Sequence, residues 1–304
     1  GGTRSRSRTR SETGMQGRIG VFDSGFGGLT VLRALLEALP GYDYLYLGDS
    51  ARAPYGARSM DVIHRYTVES VEWLFDAGCP LVVLACNTAS ARALRTIQQR
   101  HLPARRPDRR VLGMVRPSAE ALAGLPPGAI PGVTPPADVT GTVAVLGTPG
   151  TIASDSYRLE LAHLAPRLRL VQQACPLWVP LVEAGELDGP GTDHFVHRYL
   201  DPLYGGDDAP RPSKLLLGCT HYPLLLPRIR AAVPSGVEIL SQGGIVADRL
   251  ADWLHRHPEM DGRLSRGGTR EFVTTDDAEW FAAAGSPLLG HAFPARRVTL
   301  HEVR

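Results

Sequence analysis

The sequence predicts an α/β protein of two similar doubly wound halves, each with a central parallel sheet, and an active site in the cleft between them. Three observations carry this. Short apolar runs alternate with amphipathic stretches along most of the chain. The alternation pauses at a proline-rich stretch and then restarts. The polar clusters fall where apolar runs end, which in an open α/β sheet is where ligands bind.

Residues 18–22 predict a first strand, followed by a glycine-rich turn. Over 29–39, Leu29, Val31, Leu32, Leu35, Leu36 and Leu39 share one helical face. Residues 44–47, 81–85 and 111–115 predict further strands, with helices over 61–75 and 89–100 between them. This βαβαβαβ order is that of a parallel sheet covered on both faces. After the prolines of 125–136, strands are expected at 142–146, 168–172, 214–217 and 237–240, and helices at 152–164 and 245–255. Proline concentrates in 103–136 and 202–212, which read as loops. The expected units are 17–115 plus 241–304, with the tail returning to the first half, and 116–240. Residues 1–16, with four arginines among serines and threonines, read as a disordered basic tail or an expression remnant.

Composition narrows the classes. At 304 residues, 43% hydrophobic and 21% charged, the chain suits two globular units. A formal charge of +2 implies neither a nucleic acid nor a membrane surface as partner. No apolar run approaches the roughly 20 residues of a membrane-spanning helix, and the N-terminus lacks the apolar segment of a secretory signal. Four cysteines without small-domain spacing fit a reducing cytoplasm better than a disulfide scaffold.

Two of those cysteines stand out. Cys86 and Cys219 each follow an apolar run and open a polar turn, Asn87-Thr88 and Thr220-His221. Each is expected at the C-terminal edge of a sheet with a helix just beyond, whose N-terminus would lower the thiol pKa. Cys79 and Cys175, beside prolines, read as core. No C-x-x-C pair suggests a metal, and a protease-like nucleophile would leave one thiol idle. Two thiols from opposite walls suit proton transfer at both faces of one carbon. Lys214 is the only lysine, which weighs against pyridoxal phosphate chemistry. Around the thiols fall Asp23 to Gly28, Asp49-Ser50, Pro54-Tyr55-Gly56 and Thr148 to Thr151. Asn87, Thr88, Thr148, Thr151 and Thr220 could bind a small zwitterion, although each alone would serve equally as a helix cap.

Six segments together resemble the bacterial glutamate racemases of the cofactor-independent aspartate/glutamate racemase superfamily: 23–32 (DSGFGGLTVL), 49–57 (DSARAPYGA), 86–91 (CNTASA), 148–154 (TPGTIAS), 175–185 (CPLWVPLVEAG) and 218–225 (GCTHYPLL). The resemblance runs from about residue 18 to about 251 and implies a racemase without cofactor or metal that feeds D-glutamate to peptidoglycan synthesis. It implies that Cys86 takes the α-proton of D-glutamate and Cys219 that of L-glutamate, with Asp23 and His221 tuning them and Asp49 and Glu183 as auxiliary carboxylates. It further implies a glutamate pocket of Asp23, Ser24, Pro54, Tyr55, Gly56, Asn87, Thr88, Thr148, Thr151 and Thr220. Related aspartate racemases carry an acidic residue where this chain has His221, so the resemblance favours glutamate. The match is loose at Ser241-Gln242-Gly243, and the loops at 103–110 and 124–140 look longer than the family's. A homodimer is compatible with the resemblance. Two other readings stay open on the sequence: an amino-acid binding module with structural thiols, and the same chemistry on aspartate.

Overall fold

The computed structural model describes residues 16–126 and 138–301. Residues 1–15, 127–137 and 302–304 lie outside the described residues, and with them the expected tail and most of the proline-rich stretch. Ten strands occur among the described residues: β1 (Ile19–Asp23), β2 (Tyr44–Gly48), β3 (Leu81–Leu84), β4 (Arg110–Leu112), β5 (Gly141–Gly147), β6 (Leu168–Ala174), β7 (Lys214–Gly218), β8 (Glu238–Leu240), β9 (Arg270–Thr274) and β10 (Arg296–Arg297). They form two sheets, a six-stranded one ordered β10-β9-β2-β1-β3-β4 and a four-stranded one ordered β6-β5-β7-β8. Every pairing is parallel.

The central strands are apolar throughout because both faces are covered. In the first sheet Ile19, Val21, Tyr44, Tyr46, Leu81 and Val83 face a core shared with helices Leu29–Ala38, Gln242–Arg256 and Ala278–Leu289. Their neighbours Phe22, Leu45, Leu47, Val82 and Leu84 face the opposite core, against helices Met60–Asp76 and Asn87–Thr96. This two-residue alternation is the strand period, and burying each such side chain contributes roughly 1.5–3 kcal/mol. In the second sheet Ala144, Leu146, Leu215 and Leu217 pack toward Trp178 and Tyr199, while Val143, Val145 and Leu216 pack toward Ala119 and Tyr157. No helix among the described residues is long and apolar enough to cross a membrane.

The structure corrects several sequence expectations. The strand expected at 111–115 stops at Leu112, and Val115 opens a helix to Leu122 that holds Pro117 in its first turn, where a missing N–H costs nothing. Pro202 lies inside helix Pro190–Tyr204, in a stretch read as a loop. The helix expected over 152–164 is two, Pro149–Ile152 and Ser156–Leu164, separated where Asp155 takes a left-handed φ of 55°. The helix expected at 89 begins at Asn87, because the Cys86 sulfur caps it, and beyond Thr96 it continues as a π turn over Ile97–His101.

The C-terminal segment returns to the first sheet as expected, with β9 pairing along β2 in register from Tyr44↔Arg270 to Gly48↔Thr274. Asp43 fastens this return. Its Oδ1 accepts from Gly267 N (2.9 Å), Thr269 N (2.7 Å) and Thr269 Oγ1 (2.8 Å). Burial pushes this carboxyl up, but hydrogen bonds from Ser265, Thr269 and Gly267 outweigh it and hold the group at about 2. The folded value lies below the ordinary 3.8, so the stabilisation is full above roughly pH 4 and disappears as pH falls through about 2. Asp43→Asn should unfold at lower urea concentration than the native chain at pH 7. The gap between the two should close between roughly pH 4 and pH 2, as urea titrations at stepped pH will read.

Candidate active site

β1 ends in Asp23, which turns the chain toward the second sheet. Its carboxylate accepts from Gly25 N at 3.0 Å. Burial raises the Asp23 pKa, while His221 and the N–H groups of Gly28, Gly25 and Ser24 oppose that rise. The turn continues to Gly27, whose backbone passes so close to the other half that a Cβ there would stand 2.5 Å from Thr220 Oγ1 and 2.7 Å from the His221 ring. Only glycine fits. The clusters after β1 and β7, about two hundred residues apart in the chain, are therefore one site.

Cys86 follows β3 and caps helix Asn87–Thr96, its Sγ accepting from Ala89 N at 3.5 Å. The same sulfur lies 3.4 Å from Ser24 Oγ. A lowered pKa was expected from the helix N-terminus; the thiol is instead pushed up to about 12. Burial is the main cause and the Asp23 charge adds to it, and the hydrogen bonds from Ser24 and Ala89 only partly offset them. Cys219 also contributes, so the two sulfurs repel one another as anions. A state with one thiolate and one thiol is thereby favoured over two thiolates.

Cys219 follows β7 directly, but the expected helix is not there. A 3-10 turn, Tyr222–Leu225, comes first, and helix Leu226–Ala232 follows. Its partner is His221, whose Nδ1 lies 3.8 Å from the sulfur. Glu183, at the end of helix Trp178–Glu183, brings Oε1 to 3.3 Å from His221 Nε2, outside hydrogen-bond alignment. Burial pulls the imidazole down, yet Cys219, Glu183 and Asp23 together raise it to about 10. Phe26, from the Asp23 turn, packs edge-on against that ring with centroids 5.5 Å apart.

Hydroxyls from both halves also meet. Thr88 Oγ1 lies 2.9 Å from Thr148 Oγ1 and 3.5 Å from Thr151 Oγ1, and Thr148 and Thr151 are 3.1 Å apart. Gly150 N donates to Gly56 O at 2.9 Å, and a Cβ on Gly56 would stand 2.8 Å from Thr148 Cβ. The Gly56 turn follows the cis Ala53–Pro54 peptide and buried Tyr55. The Tyr55 hydroxyl donates to Asp49. Asp49 is fully buried and also accepts from Arg52 Nε (2.7 Å) and Thr275 Oγ1 (2.8 Å). Asp49 thus anchors Tyr55, not a thiol.

Asn87 is placed beside the site, but its side chain points into a polar bracket that sequence reasoning missed, made with Gln242, Tyr157 and Ser118. Gln242 had a signal, the loose match at 241–243; Tyr157, second in helix Ser156–Leu164, and Ser118, inside helix Val115–Leu122, had none. Arg92 was also missed, and it ties the halves by donating from Nε to Gly150 O at 2.8 Å.

No family model matches the chain. It is 43% identical over 260 residues, 85% of its length and 91% of the relative's, to a glutamate racemase of Roseobacter denitrificans. The glutamate racemase isoform RacE1 of Bacillus anthracis superposes with a TM-score of 0.80 at 32% identity, covering 93% of this chain and 98% of that one. The glutamate racemase of Francisella tularensis, solved in complex with D-glutamate, gives a TM-score of 0.78 at 26% identity, covering 93% and 97%. On this similarity of sequence and fold, the chain belongs to the glutamate racemase family, amino-acid racemases among the isomerases.

Proposed function

We propose that the chain interconverts L- and D-glutamate by a two-thiol proton transfer at the α-carbon. The observation that supports it most is that Cys86 and Cys219 arrive from separate sheets, each with its own polar partner and each within electrostatic reach of the other. In the L-to-D direction the Cys219 thiolate takes the α-proton, leaving the bonding pair on the α-carbon and its carboxylate. The Cys86 S–H then breaks to deliver a proton to the opposite face. The product leaves Cys219 as thiol and Cys86 as thiolate, and the D-to-L direction runs the same steps in reverse. His221, backed by Glu183, serves the Cys219 side; Ser24 and Asp23 serve the Cys86 side. Such positioned acids and bases each contribute about 10²–10⁴ in rate.

In this reading the substrate carboxylates replace the mutual hydrogen bonds of Thr88, Thr148 and Thr151, with Thr220 and Ser24 completing the donor set. Pro54, Tyr55 and Gly56 shape the wall, held by Asp49. Asn87 contributes its backbone N–H at the helix start, where anions are stabilised. Both sulfurs are buried, so entry requires the units 17–115 plus 241–304 and 116–240 to part. The D-glutamate would supply peptidoglycan synthesis in the cytoplasm, and the D-glutamate bound by the Francisella relative supports that substrate.

Purified protein should racemise either enantiomer and place solvent deuterium at the α-carbon of the product, as chiral chromatography with mass spectrometry will read. Cys86→Ala and Cys219→Ala should each lose racemisation by about 10³-fold or more; near-native turnover in either variant removes the two-thiol mechanism. A second expectation concerns the free enzyme. With its thiol at about 12, only about one Cys86 in ten thousand is a thiolate at pH 8. Alkylation of Cys86 by iodoacetamide, followed by peptide mass mapping, should therefore be far slower at pH 8 than for an unfolded thiol, and should climb steadily through pH 10. A rate that levels off below pH 9 would contradict the raised value.

A further inference from the structure

The Asn87 amide has two donor hydrogens and one oxygen with two lone pairs. All are taken. Nδ2 donates to Gln242 Oε1 (2.5 Å) and faces Met114 Sδ (3.8 Å). Oδ1 accepts from Tyr157 OH (2.7 Å) and Gln242 Nε2 (3.1 Å). The two amides thus form a reciprocal, cyclic pair, buried with Gln242 only 3% exposed. Gln242 Nε2 has two hydrogens for three acceptors: Asn87 Oδ1, Ser118 Oγ (2.6 Å) and Tyr157 OH (3.0 Å).

These partners belong to different parts of the fold. Asn87 directly follows Cys86 on the first sheet. Ser118 and Tyr157 lie on helices packed against the second sheet. Gln242 begins the helix that returns the chain to the first half, and its neighbour Gly243 packs against Thr30 on the helix that follows the Asp23 turn. Gln242 also lines a cavity of about 300 Å³ together with Cys219 and Thr220. A single amide therefore ties the Cys86 turn to two helices of the second sheet, while its own helix packs on the helix that follows the Asp23 turn.

We infer that Gln242 is a positioning residue for the racemisation: through its amide pair with Asn87 it holds the Cys86 turn at a set distance and angle from Cys219, without touching substrate. The inference rests on the two-thiol reading. Misplacing reacting groups by about 1 Å costs on the order of 10²-fold in rate, whereas substrate ligands elsewhere in the pocket are left intact. The effect should thus fall on kcat and spare KM.

The test compares the native enzyme with Gln242→Leu, which abolishes the pair, and with Gln242→Glu, which keeps the size and one acceptor but loses both donors. Kinetics in both directions are joined by thermal melting and by the primary isotope effect with α-deuterated glutamate. The expected result is a kcat lowered about 10- to 100-fold, KM changed less than about threefold, and a larger isotope effect as proton transfer becomes more limiting. The double variant Asn87→Ala/Gln242→Leu should be no slower than Asn87→Ala alone, because Gln242 acts through Asn87. An unchanged kcat with a lowered melting temperature, a raised KM at native kcat, or additive losses in the double variant would each overturn the positioning role. Cys86→Ala and Cys219→Ala, assayed alongside, separate the two claims. Racemisation by either cysteine variant overturns the two-thiol reading and this inference with it; inactive cysteine variants beside a fully active Gln242→Leu overturn the positioning role alone.

Discussion

Everything at the site depends on how closely the carboxyl edges of two parallel sheets approach one another. The contact is made by bare backbone: Gly27 lies against Thr220 and His221, and Gly56 against Thr148, with no room for a Cβ at either place. A methyl group at Gly27 would push Thr220 and the imidazole away from the Asp23 turn, and with them the Cys219 side from the Cys86 side. Gly27 and Gly56 let one sheet edge come within hydrogen-bond range of the other.

That approach has an electrostatic cost. Asp23, Cys86, Cys219 and His221 are all buried within mutual influence. Asp23 and Cys86 are both pushed toward their neutral forms by the loss of water. His221 is pushed the other way, toward its cation, because the groups facing it are acidic. In the proposed reaction this imbalance is useful. The neutral Cys86 thiol is ready to give a proton, while the Cys219 side has a cation next to its sulfur. The same surroundings keep the Cys86 thiol neutral well above neutral pH, and in the D-to-L direction of the proposed reaction that is the hurdle bound glutamate would have to lower.

The fold was legible because its central strands are buried on both faces and read as uninterrupted apolar runs. The site was legible because each polar cluster begins where such a run stops, as at Phe22-Asp23 and Ala85-Cys86. Three things were not legible. Pro117 and Pro202 looked like loop residues, but proline is tolerated in a first turn and, in Pro202's case, near a helix end. The acidity of Cys86 was misjudged because a helix terminus is visible in sequence while burial beside Asp23 is not. The Asn87–Gln242–Tyr157–Ser118 bracket joins residues up to 155 apart in the chain, and no local pattern marks a side chain whose partners arrive from three other helices.

The strand order of the first sheet has an effect on how the protein is made. β2 borders β1 on one side and β9 on the other, and β9 lies more than two hundred residues downstream. On the ribosome, β1 to β4 can emerge and pair while the far edge of β2, with its unpaired N–H and C=O groups, stays open through synthesis of the entire second sheet. An open apolar edge of this kind invites pairing with another nascent chain. The Asp43 clasp, which captures Gly267 and Thr269 just ahead of β9, is placed to close that edge as soon as β9 leaves the exit tunnel.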